Sequence, residues 1–135
     1  MFKILLVDDD DSFRTMLRKT LIKFGYEVTE AANGREADKL LSTDRFDLML
    51  TDLIMPEREG LETIEDLRRA DSAIKIVAMS GGGRINAGDF LRIARFLGAN
   101  RTLAKPFSND ELLATLTALL PGATIVPAGA TPTPQ

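Results

Sequence analysis

Five short apolar runs divide the chain, and the residues between them repeat at helical spacing. The first run, FKILLV at 2–7, is nearly all apolar and stops at charge, the pattern of a strand buried on both faces. YEVTEA at 26–31 alternates instead and predicts a strand near a sheet edge. FDLMLTD at 46–52, AIKIVAMS at 73–80 and RTLA at 101–104 predict three more strands. Phe13, Met16, Leu17, Leu21 and Phe24 define one face of a first helix, capped by Asp11 or Ser12 and stopped by Gly25. Asn33-Gly34 turns into a second helix. EGLETIEDLRRA predicts a third, and AGDFLRIARFLG a fourth that stops at Gly98. Ser108, with Glu111 three residues on, forms a capping box for the last helix.

Strand and helix thus alternate five times. Short apolar strands alternating with amphipathic helices imply an α/β fold whose parallel sheet is covered on both faces. In such sheets ligands bind beyond the carboxyl ends of the strands. A length of 135 residues suits one domain, predicted over 1–120. Residues 121–135, PGATIVPAGATPTPQ, carry no charge and no periodicity, and are expected to form a disordered tail or linker remnant.

Composition narrows the chemistry. With no cysteine and no histidine, disulfides, thiolate sites, imidazole ligands and the commonest general base are excluded. Any metal should therefore be a hard cation held by oxygen. A net charge of -3 argues against nonspecific nucleic-acid binding, which needs a basic surface. No apolar run is long enough to span a membrane, and a cytoplasmic location is the default expectation.

The strand ends carry the candidate site. The first predicted strand runs into Asp8 and Asp9, the third ends on Asp52, the fourth on Ser80, and the fifth runs into Lys105. A parallel sheet puts all five at one edge. Clustered carboxylates hold their protons tightly unless a cation offsets them, and Mg²⁺ suits such a set, leaving positions open for water and a phosphoryl group. Lys105 adds a fixed positive charge, and with no histidine or cysteine the plausible nucleophile is a carboxylate, Asp52. Each piece also has a plain structural reading. Asp10 and Asp11 favour a helix start through its dipole. Asp52 suits a turn, Ser80 the start of the Gly81–Gly83 loop, and Lys105 a helix entrance. A nucleotide P-loop is excluded because no GK[ST] follows the glycines.

Taken together, LLVDDD, DLMLTDLIMPEREG (Asp52, Met55, Pro56 and Gly60 in the D-x-x-M-P-x-x-x-G pattern), IVAMSG and LAKPF resemble the receiver domain of bacterial two-component response regulators over residues 2–120. The resemblance implies a flavodoxin-like five-stranded sheet of order 2-1-3-4-5 with five helices. It implies Asp52 as phosphoacceptor and a Mg²⁺ site of Asp9, Asp52 and the Ile54 carbonyl, with Asp8 acting through a metal-bound water. Lys105 would pair with Asp52 and then with the phosphoryl group. Ser80 and the Gly81 N–H would bind phosphoryl oxygens, and the Lys105-Pro106 bond would be cis. The domain would catalyse its own phosphorylation and dephosphorylation. It would take its phosphoryl group from a sensor histidine kinase or a histidine phosphotransfer protein and signal to an unknown protein target, as a monomer or weak dimer. No direct contact with nucleic acid or membrane is expected.

One position departs from the family pattern. Thr102 stands where the family usually has Tyr or Phe as a switch residue, which puts the usual output mechanism in doubt. The fourth helix is a candidate partner surface. Phe90, Leu91, Ile93, Ala94 and Leu97 are expected mostly in the core, with Arg92, Arg95 and Phe96 open to solvent. A phosphorylation-independent interaction module is the alternative reading. A phosphohydrolase is disfavoured because Ile54 stands where its general acid should be. Flavin binding is disfavoured because four aspartates follow the first strand.

Overall fold

The computed structural model describes residues 1–53, 60–81 and 87–121, with the backbone alone for 87–90. Five strands and five helices alternate along it. They are β1 (Lys3–Val7), α1 (Asp11–Lys23), β2 (Glu27–Ala31), α2 (Gly34–Thr43), β3 (Leu48–Asp52), α3 (Gly60–Arg69), β4 (Lys75–Gly81), α4 (Ala87–Leu97), β5 (Arg101–Lys105) and α5 (Asn109–Leu119). All strand pairs are parallel, in the order β2-β1-β3-β4-β5. This is the predicted order, and the alternating β2 lies at an edge as expected.

Period-two alternation divides the strand residues between two cores. Ile4, Leu6, Leu48, Leu50, Val77, Met79 and Leu103 face α1 and α5, where they meet Leu17, Leu21, Leu112 and Leu116. Leu5, Val7, Met49, Ile76 and Ala78 face the other helices and meet Ala37, Ile64 and Ala94. Central β1 and β3 are buried on both faces, which is why they read as unbroken apolar runs.

Local chemistry sets the helix ends. Asp10, rather than Asp11 or Ser12, caps α1, its carboxylate accepting the Phe13 N–H at 3.1 Å. Asn33 caps α2, and the Ser108–Glu111 capping box at α5 is present. Gly25 and Gly98 end α1 and α4 with φ of 97° and 127°, a backbone region open mainly to glycine. Two expected core positions differ. Met16 is 55% exposed, because Leu17 and Leu21 already fill the narrow stripe that α1 buries. On α4, Ala94 is buried, whereas Ile93 is exposed together with Arg92, Arg95 and Phe96. The packing expected of Phe90, like all of the tail expected over 121–135 except residue 121, lies outside the described residues.

Candidate phosphoryl-transfer site

Strand parity places the charged groups before any contact is considered. Asp8 continues the series Ile4, Leu6; Asp52 continues Leu48, Leu50; Lys105 follows Leu103. All three therefore leave the sheet edge on the side of α1 and α5. Ser80 continues Ile76 and Ala78, on the other face. The parallel register aligns the ends, with Asp52 opposite Met79, Ser80 opposite Ala104 and Gly81 opposite Lys105.

Asp8 is fully buried, and both its carboxylate oxygens are engaged. One accepts the Asp10 N–H at 2.9 Å, and the other accepts from Lys105 Nζ at 2.8 Å. Lys105 Nζ lies farther from Asp52, at 3.9 Å from Oδ1. The Lys105–Asp52 pair that the resemblance implies is present, and a tighter one with Asp8 stands beside it. Asp8 is enclosed and needs a full counter-charge, whereas Asp52 Oδ1 also accepts the Leu53 N–H at 3.0 Å. The Lys105 ammonium also sits over the ring of Phe13, 4.2 Å from its centroid. Phe107 meets that ring edge-on at 6.1 Å. The Lys105-Pro106 peptide is cis.

Asp9 is exposed, and carboxylate oxygens of Asp8, Asp9 and Asp52 lie within 4.8 Å of one another. Burial pushes the Asp52 carboxyl up from 3.8 to about 6. Lys105 opposes that rise, while Asp8 and Asp9 add to it. Three carboxylates against one ammonium leave two negative charges in an all-oxygen donor set, which fits a hard divalent cation. Ser80 is buried, and Gly81 abuts the Lys105 backbone so closely that an added Cβ would lie 2.8 Å from the Lys105 carbonyl oxygen. Thr102 is half-buried on β5, opposite Ala78. Ile54, Met55 and Pro56 lie outside the described residues.

Sequence reasoning missed the side chains that support this cluster. Arg14 donates to the Asp8 carbonyl at 2.7 Å, to Asp11 at 2.8 Å and to Glu30 at 3.1 Å. Its position, one turn after the acids on the polar side of α1, was the available signal. Phe13 was read only as a core residue.

The family model described as the response regulator receiver domain matches residues 4–117. Response regulator MprA of Mycolicibacterium vanbaalenii is 39% identical over 119 residues, 87% of this chain and 50% of that protein, so the chain spans half of that relative's length. Sporulation initiation phosphotransferase F of Bacillus subtilis is 34% identical over 110 residues, 82% of this chain and 86% of that protein. Among solved structures, chemotaxis protein CheY4 of Vibrio cholerae is similar with a TM-score of 0.76 at 34% identity, covering 88% of this chain and 98% of that one. The Francisella response regulator 1452 receiver domain reaches a TM-score of 0.80 at 26% identity, covering 88% and 96%. Sheet order, acid cluster and family match agree, and the chain belongs to the response regulator receiver domains of two-component systems.

Proposed function

We propose that this receiver accepts a phosphoryl group on Asp52 from a phosphohistidine of a sensor kinase or phosphotransfer protein. The observation that carries the reading is the Asp52 carboxylate at the end of β3, grouped with Asp8 and Asp9 and faced by Lys105. Asp8, Asp9 and Asp52 would hold Mg²⁺, which supplies charge neutralisation and coordination for phosphoryl oxygens when bound. An Asp52 carboxylate oxygen attacks phosphorus. The new P–O bond forms as the P–N bond to the donor imidazole breaks, and that nitrogen keeps the electron pair and takes a proton from solvent. Lys105 then balances the charge added to Asp52, while the Ser80 hydroxyl and the Gly81 N–H donate to phosphoryl oxygens. Water attack on the same phosphorus would reset the domain.

Signalling then follows as a shift between two conformations, read by a protein partner. Thr102 has no ring to swing between buried and exposed positions, so either the shift runs through other groups or it is smaller than in the family pattern. The test is intact mass after incubation with acetyl phosphate, with and without Mg²⁺. One added phosphoryl group is expected, dependent on Mg²⁺ and absent in Asp52→Asn. If neither acetyl phosphate nor a phosphorylated kinase labels Asp52, the domain is a phosphorylation-independent binding module instead.

A further inference from the structure

We propose that Phe13 is a positioning residue for Lys105, its ring holding the ammonium on the Asp8 side of the pocket. Among the described residues, the Lys105 ammonium lies 2.8 Å from Asp8 Oδ2, 3.9 Å from Asp52 Oδ1 and 4.2 Å from the Phe13 ring centroid. The ring face is electron-rich and attracts a cation, the more so where water is partly excluded, as around this lysine, whose side chain is 22% exposed. Phe13 is itself braced, because Phe107 presses edge-on against it, and Phe107 lies two residues beyond Lys105 on the same chain segment. Ring, brace and lysine therefore form one unit that links the first turn of α1 to the end of β5.

This unit bears on the metal. An ammonium held on Asp8 competes for the carboxylate charge that attracts a divalent cation. Weakening its hold lowers the positive charge kept inside the acid cluster. Phe13→Leu keeps an apolar side chain there but removes the ring face. Mg²⁺ binding should then tighten by about threefold, the scale set by a partly desolvated cation–ring contact. A purely structural role for Phe13 would do the reverse, loosening the pocket and weakening the metal.

The metal arm rests on the Mg²⁺ reading above; the lysine arm does not. Calorimetric titration with Mg²⁺ is run on wild type, Phe13→Leu, Lys105→Ala and the double variant. The expected result is tighter binding in Phe13→Leu over wild type and no such gain when Lys105 is already alanine. Alongside it, the ε-methylene proton shifts of Lys105 are read by NMR without Mg²⁺. They should sit upfield in wild type and in Phe13→Tyr through the ring current, and return towards ordinary lysine values in Phe13→Leu. Phe13→Met serves in the same role should the leucine variant not fold. Equal or weaker Mg²⁺ binding in the single variant, or a gain that persists without Lys105, overturns the proposal. So do ordinary Lys105 shifts in wild type. Should wild type bind no Mg²⁺, the metal reading fails and the lysine spectrum alone decides the role of Phe13.

Discussion

Asp52 sits where its own charge is disfavoured, only 14% exposed and close to two other carboxylates. A carboxyl raised from 3.8 to about 6 contributes stability below its ordinary pKa, and that contribution is lost as pH rises through the folded value. Metal-free protein at neutral pH therefore carries a penalty of at most about 3 kcal/mol at this one residue. Asp52→Asn should raise the Tm of metal-free protein at neutral pH, have little effect near pH 4, where the carboxyl is protonated in the folded state, and abolish phosphorylation. Paired melts at the two pH values check it. Tyr26, in the core beside α1, behaves similarly at the alkaline end. Burial pushes its phenol up to about 12, and its hydroxyl has no hydrogen-bond partner among the described residues. Stability should hold below about pH 10, the ordinary tyrosine value, and fall as pH rises through about 12. Tyr26→Phe should remove that alkaline loss and add about 1 kcal/mol at neutral pH by deleting an unpaired buried hydroxyl. With one tyrosine and no tryptophan, the chain lets tyrosinate absorbance report the titration directly.

At the scale of elements, two junctions stand out. Gly60 opens α3 against the end of β3, its N–H bonded to the Leu53 carbonyl. A Cβ there would come within 2.2 Å of the Asp52 carbonyl oxygen, so Gly60→Ala must push α3 off the strand that ends in Asp52. A loss of about 1–3 kcal/mol in urea unfolding, together with slower acetyl phosphate labelling, is expected. Far from the site, Arg68 of α3 donates to the carbonyls of Gly98, Ser72 and Ile74 and to the Asn100 side chain. One guanidinium thus joins the ends of α3 and α4 to the starts of β4 and β5. Arg68→Lys should destabilise nearly as much as Arg68→Met, because one ammonium cannot serve four acceptors spread around a planar fork; chemical denaturation of both variants checks this. The glycine of the D-x-x-M-P-x-x-x-G pattern was legible as a motif, and the structure supplies its steric cause. The Arg68 junction was not legible. Its acceptors are mostly backbone carbonyls brought together by the fold, and a sequence does not mark carbonyls.

Across the whole molecule, alternation of strand and helix gave away the parallel sheet, the family resemblance gave its order, and the polar residues at strand ends gave away which side chains share one edge. What stayed hidden was the choice of partner within the pocket. Spacing puts Asp8, Asp52 and Lys105 at one edge, but whether the lysine leans on Asp8 or Asp52 depends on angstroms and on the ring of Phe13. The four aspartates show the same limit. Asp8 is buried, Asp9 is open to solvent, Asp10 caps α1 and Asp11 pairs with Arg14, four roles for one repeated letter. A cation that binds this cluster only in the folded domain should stabilise the whole, by about 2.7 kcal/mol at a hundredfold excess over Kd. A Mg²⁺ series of thermal melts should show that rise in wild type and little of it in Asp9→Asn.

The Asp8–Lys105 pair joins positions 97 residues apart, one at the first strand and one at the last. A growing chain on the ribosome makes its acids early and its lysine late. Until β5 has emerged, the acids lack the ammonium that faces them in the finished fold. The pocket therefore cannot close before residue 105 has been made, and a chain cut short ahead of Lys105 would leave the buried Asp8 carboxylate without its counter-charge.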